Sequence, residues 1–395
     1  MSAAQSETIR GLVPEDLLLF SWLEEVELSP SGEFVAYTVR RPDAERNGYQ
    51  AHVYLRNLLT GDEVVITSGI GYGSSLAWNR SGDRLAFNWR DAEGSAIRAV
   101  SVDGAALADW LLASGVAADL NWSPDGRQIA FSRWTPAPET NARARQPGVP
   151  APTIRVVRRL RYKQDGVGWV NDRYRQVWIL DLETGEVRQL TSGEADHREP
   201  AWSWDGTRLA YVITAREQNS PEGQGQILIH DLRTGQTKPM IPGWQGASAS
   251  PQWRRDDKVV AFTGYDLEPP VNRGQFHHVW VCDLETGAAH DVSATLDQEV
   301  GNYAVADQRA GLVNVTVRWP DGRGPIYFLI TEQGATHLYT ADECGDCCLQ
   351  VGGQNIVFAY SADSAATIAY GLSNPANPGE LYVRTSGQAG RLTDL

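Results

Sequence analysis

The stretch WSPDGRQIAF, residues 122–131, decides how this chain is read. An aromatic residue closes one strand-like run, Ser-Pro-Asp-Gly makes a tight turn, and an apolar run follows. Proline pre-sets φ at the first corner, aspartate bonds the backbone that follows it, and glycine accepts the left-handed conformation at the last corner. The pattern returns as LSPSGEFVAY from Leu28, WNRSGDRLAF from Trp78, WSWDGTRLAY from Trp202 and WRRDDKVVAF from Trp253. Two degenerate copies are WPDGRGPIYF from Trp319 and YSADSAATIAY from Tyr360. The anchors recur about every 40–50 residues, with two longer gaps, which is the period of propeller blades.

A second signature follows most copies. VWILDLETGEVRQLTSG from Val177 is an alternating strand, a Thr-Gly turn and another strand, and related stretches begin at Val53, Ile227 and Val279. Each unit therefore supplies four antiparallel strands. The expected fold is all-β, a seven-bladed β-propeller of four-stranded blades spanning residues 25–395. The first blade opens with its own inner strand near Val26 and the last ends with its own outer strand near Leu392. No strand is left to swap between them, so the ring is expected to close by apolar contact between sheets.

Three segments break the repeat. Residues 1–24 read as an N-terminal segment with a short docking helix: Pro14 suits a first helical turn, Glu15 and Asp16 suit its positive end, and Leu17, Leu18 and Phe20 form an apolar stripe. An insertion at about 135–176 has a Pro- and Ala-rich front and a hairpin-like back. Arg158, Arg159, Arg161 and Lys163 in that back half are candidates for substrate approach or for docking a partner domain. The connection from Asp291 to Arg318 is longer than the unit requires.

Composition narrows the function classes. The 395 residues carry a formal net charge of −14, which argues against nucleic acid or an anionic membrane as partner. No run of about 18 apolar residues predicts a membrane span. Four cysteines are too few for a disulfide scaffold, and the N-terminus lacks the order of a secretory signal, so a cytoplasmic location is expected. No catalytic constellation stands out. No serine has glycine two residues before and after it, and neither HExxH nor a phosphate-binding glycine loop is present. Cys344, Cys347 and Cys348 sit where the repeat expects a hairpin tip, and they supply three thiols where a structural zinc takes four ligands. No metal or cofactor is expected.

With repeats and flanks assembled, the chain resembles the N-terminal propeller of serine peptidases of the prolyl-oligopeptidase superfamily, in the acylaminoacyl-peptidase and dipeptidyl-aminopeptidase branch. The stretches that carry the resemblance include LVPEDLLLF, RLRYKQDGVGWV, DLETGEVRQLTSGEADHREPAWSWDG and the closing ELYVRTSGQAGRLTDL. The resemblance implies an α/β-hydrolase domain after the last blade, bearing the Ser, Asp and His. This sequence ends at Leu395, so those catalytic residues have no matching positions, and the chain is expected to break no bond alone. It further implies a gating role that admits short peptides and excludes folded proteins. The alternative is a free-standing TolB-like propeller acting as a protein interaction module.

Overall fold

The computed structural model describes residues 11, 13–103, 105–112, 115–135, 162–164, 168–169, 173–215, 225–266, 276–304 and 316–395. Their strands pair as three four-stranded sheets and two eight-stranded sheets, beside a two-stranded ribbon at Lys163–Gln164 and Gly168–Trp169. Each eight-stranded sheet is two four-stranded antiparallel units joined by one parallel bridge, Ala51 to Tyr72 or Thr336 to Ile356. The units follow one another along the chain and are numbered here 1 to 7 in that order. In unit 3, for example, Ala118–Trp122, Gln128–Thr135, Tyr174–Asp181 and Val187–Gln189 lie side by side. The fold is a β-propeller.

The reason for the repeat is visible in the core. Each apolar cluster lies between two neighbouring units. Val53, Leu55, Leu85 and Phe87 fill the seam between units 1 and 2, and Ile97, Leu112, Ile129 and Phe131 that between 2 and 3. Leu23, Val35 and Tyr37 of unit 1 meet Phe358, Ala369 and Leu381 of unit 7. Burying a large apolar side chain stabilises by about 1.5–3 kcal/mol, and a single sheet has no second layer to bury against. Among the described residues no strand pairs across the seam between units 7 and 1. Apolar contact does the closing, as the register of the first and last strands predicts.

The turns obey the sequence. Gly32, Gly82, Gly126 and Gly206 all have positive φ at the turn's last corner, and Asp257 takes the same conformation at +59°. In the last copy the strand closes two residues later than the Tyr360 anchor implies. Ala362 pairs with Ile368, and Asp363 caps the turn through Ala365 and Thr367. The excess between Asp291 and Arg318 falls inside the innermost strand of unit 6. Glu299–Val300 and Arg318 both pair the same neighbour, Ile326–Glu332, so the strand is made in two pieces.

The chain enters at Trp22 and its last strand ends at Arg391, at the end of the units that also carries the hairpins between second and third strands. The Ser-Pro-Asp-Gly and Thr-Gly turns lie at the other end, called here the turn end. Pro14–Leu19 is a short 3-10 helix without a buried residue. Leu17 and Leu18 stay about half exposed, at 48% each, while Phe20 stacks on Trp22 at 5.7 Å. Arg158, Arg159 and Arg161 lie outside the described residues; Lys163 is exposed and pairs with Trp169. No helix among the described residues is long and apolar enough to cross a membrane.

Candidate functional site

The innermost strands share a kink that the sequence does not advertise. Ser75, Asp119, Glu199 and Ser250 all have positive φ, each three residues before the tryptophan that closes its strand. Pairing slips there in units 2, 4 and 5, as it does at a β-bulge. The bulge turns backbone N–H groups toward the unit before, and a side chain of that unit accepts them. The Glu25 carboxylate accepts from Ser75 N at 2.9 Å and Leu76 N at 3.0 Å. Asp119 accepts from Glu199 N at 3.2 Å, Glu199 from Ser250 N at 2.7 Å, and the Ser250 hydroxyl from Val317 N at 3.1 Å.

The repeated tryptophans add a second set of links. Trp78 Nε1 donates to Glu27 O, Trp122 Nε1 to Ala77 O, and Trp253 Nε1 to Ala201 O, at 2.9–3.1 Å. Each ties one unit to the one before it. The sequence had offered these tryptophans as strand ends alone. The bulge residues were missed: in runs such as ADHREPAW and ASASPQW nothing sets the residue three positions before the tryptophan apart from its polar neighbours.

Loss of solvation in the ring interior raises the Glu25 carboxyl to about 7, with Glu27 and Glu24 adding to the effect and the two backbone N–H groups opposing it. A carboxyl whose pKa is raised by folding binds protons more tightly in the folded state, so its contribution falls as pH rises from about 4.5 through 7. Thermal melting of the wild type is expected to show this loss between pH 5 and pH 8. Glu25→Gln should flatten that segment of the profile: it lowers stability by about 1 kcal/mol near pH 5, because one of the two N–H groups loses its acceptor, and the gap closes or reverses by pH 8, where the wild type has lost its own contribution. An unchanged slope in the variant would remove Glu25 as its source.

Units 1, 6 and 7 meet through an ion pair. Arg318, in the innermost strand of unit 6, bonds Glu27 of unit 1, and Ser361 of unit 7 also reaches Glu27, at 3.3 Å. The Glu27 carboxylate holds the Arg318 guanidinium more firmly protonated than usual. Above this pair, at the turn end, opens a cavity of about 740 Å³. Its wall includes Asn121, Trp122, Gln252 and Arg318, and its rim Arg80, Trp204, Arg255 and Asp321.

That rim is braced across units. Arg80 projects from the turn of unit 2, passes unit 3, and donates to the carbonyl of Trp204 in unit 4 at 3.1 Å. Its guanidinium lies 3.6 Å from the centre of the Trp204 ring, and that of Arg255 lies 4.2 Å from it. Arg255 pairs with Asp321 of unit 6 at 2.6 Å. Asp257, standing where other copies have glycine, uses its carboxylate to accept from Trp204 N at 2.5 Å and Asp205 N at 2.8 Å.

Two side-chain clusters look like chemistry and are structural. Ser293, His278 and Asp291 lie together, but Ser293 Oγ and Asp291 Oδ2 both face His278 Nδ1, at 3.3 and 2.9 Å. A catalytic imidazole uses one nitrogen for each partner. Ser293 Oγ instead accepts from Val279 N, as Thr67, Thr191 and Thr393 accept from Val53, Val177 and Leu381. The terminal Arg-Leu-Thr is thus part of the repeat. In the cysteine cluster, Cys347 turns its sulfur toward Val292 O at 3.5 Å, while Cys344 and Cys348 are exposed.

Comparison with known proteins gives the same architecture. No family model matches the chain. An uncharacterized peptidase, YuxL, of Bacillus subtilis is 25% identical over 383 residues, covering 95% of this chain and 57% of the relative. The acylaminoacyl peptidase of Pyrococcus horikoshii superposes with a TM-score of 0.72 at 17% identity, over 96% of this chain and 53% of that one. The β-propeller domain of the Trilobed protease from Pyrococcus furiosus, described as having an open velcro topology, superposes at 0.65 and 16% identity, over 95% and 96%. The chain spans little more than half the length of the two whole peptidases it matches. It is a β-propeller similar, over nearly all its length, to the propeller portions of peptidases.

Proposed function

We propose that this chain is the gating portion of a cytoplasmic serine peptidase, a seven-bladed ring that screens short peptides and seats an α/β-hydrolase domain, with no bond-breaking of its own. The observation that carries the proposal is the coverage: 95% of this chain matches 57% of a peptidase. The inner wall is built from bulges and carboxylates occupied with backbone N–H groups, a structural use of groups that chemistry would need free. Residues 1–24 and the insertion at about 135–176 are the docking elements of this reading. Leu17, Leu18 and the still more exposed Leu19 lead into the first strand at the hairpin end, where the last strand also ends. The hydrolase docks there, leaving the turn end free. Four unpaired cysteines suit a reducing compartment.

The test is turnover. The purified chain, incubated with aminoacyl- and acetyl-aminoacyl-nitroanilides, is expected to release no nitroaniline above the blank. Hydrolysis that a serine-hydrolase inhibitor abolishes would overturn the non-catalytic reading.

A further inference from the structure

We propose that the turn-end cavity is a binding site for the carboxylate of a short peptide, with Arg80 as its anion-binding group. The charges around the rim are almost fully assigned. Arg318 is matched by Glu27 and Arg255 by Asp321. Asp363 caps its own turn, and Asp257 is taken by two backbone N–H groups of unit 4. Arg80 remains. Asp257 and Asp321 are near enough to act on it through space, yet no carboxylate of the described residues lies within 4 Å of it.

Its surroundings make that cation receptive. Arg80 holds backbone carbonyls with its Nη atoms and stacks on Trp204, so the guanidinium is fixed in place at the rim. Burial and the neighbouring Arg255 lower its pKa to about 10, which still leaves it charged at neutral pH and gains stability from an arriving anion. A planar guanidinium suits a carboxylate better than an ammonium does. Deeper in the wall, the Gln252 carboxamide makes no hydrogen bond among the described residues and offers a donor and an acceptor to a peptide backbone. The volume falls in the range of small-ligand pockets, and its tryptophans and prolines supply the apolar lining.

The inference deepens the sieve reading by naming what the turn end retains, and its test is separate from turnover because binding is read directly. Titration calorimetry compares three probes: N-acetyl-trialanine as free acid, the same peptide as C-terminal amide, and N-acetyl-Ala-Glu-Ala amide. The free acid is expected to bind at least tenfold more tightly than trialanine amide. Comparable binding of the glutamyl amide would extend the site to side-chain carboxylates, and its failure would confine it to peptide C-termini. Arg80→Gln should cost about tenfold for the acid and little for the amide. Asp321→Asn, which frees Arg255, should strengthen acid binding severalfold, a gain that a misfolded variant cannot mimic. Equal affinity for acid and amide, no binding of either in the millimolar range, or an acid affinity indifferent to both substitutions would overturn the proposal.

Discussion

Arg318→Met is expected to destabilise the ring by roughly 2–3 kcal/mol, read as a lower urea midpoint with an unchanged slope. Removing one partner of a buried ion pair costs about 3–5 kcal/mol because the other charge is left uncompensated. Here the Glu27 side chain is 15% exposed and that of Arg318 39%, so water screens part of the interaction and the expected loss is smaller. What makes the pair consequential is its position. It joins unit 1 to unit 6, and Ser361 brings in unit 7. This is the stretch of the ring where, among the described residues, no strand pairs between the first and last units. Glu27→Gln with Arg318→Met should recover part of the loss, because no charge is then stranded. If each single variant costs under about 0.5 kcal/mol, the pair is an exposed ornament of the channel rather than its clasp.

The balance between what was legible and what was hidden follows from range. The turn residues Pro124, Asp125 and Gly126 act on neighbours one to five positions away, so their spacing alone predicts the unit and its strand order. The Thr-Gly turns do the same for the outer strands. The cavity rim acts across 50 to 124 positions of separation, as Arg80 does on Trp204. Nothing in RSGDRLAF distinguishes an arginine that crosses the mouth from one that faces solvent. Asp257 shows the same limit: its conformation follows from the aligned turn, but its double acceptance from unit 4 needs the ring. The Leu17, Leu18 and Phe20 stripe was visible because a proline and two acidic residues announce the helical turn. That only Phe20 would stack inward, on Trp22, depended on where the first strand begins. Chemistry-like clusters went the other way. Ser293 beside His278 and Asp291 gains its meaning from Thr67, Thr191 and Thr393, equivalent hydroxyls that support strands without any histidine-aspartate pair of this kind.

Gly322→Ala should be the more damaging of two superficially equal substitutions in one turn. Gly322 has φ +60° and Gly324 φ +66°, so either alanine incurs about 1–2 kcal/mol for a left-handed L-residue. Around Gly324 an added Cβ meets nothing within 4 Å. At Gly322 it would lie 2.6 Å from Arg255 N, 2.7 Å from Trp204 Nε1 and 2.8 Å from Trp253 O. Those atoms cannot retreat cheaply, because Arg255 N donates to Gly322 O at 2.9 Å and Trp204 Nε1 to Trp253 O at 3.0 Å. Losing or stretching both bonds adds about 1 kcal/mol each, and overpacking adds about 1–3 kcal/mol more. The expected total is roughly 4–7 kcal/mol for Gly322→Ala against about 1–2 kcal/mol for Gly324→Ala, compared by urea unfolding of the two variants. Because the displaced groups are the indole under Arg80 and the backbone of Arg255, the same alanine should also weaken binding of the free-acid peptide under conditions where the variant remains folded, while Gly324→Ala leaves it intact. Equal unfolding midpoints for the two would show that the turn of unit 6 yields without disturbing its neighbours, and that the rim is not held from below by Gly322.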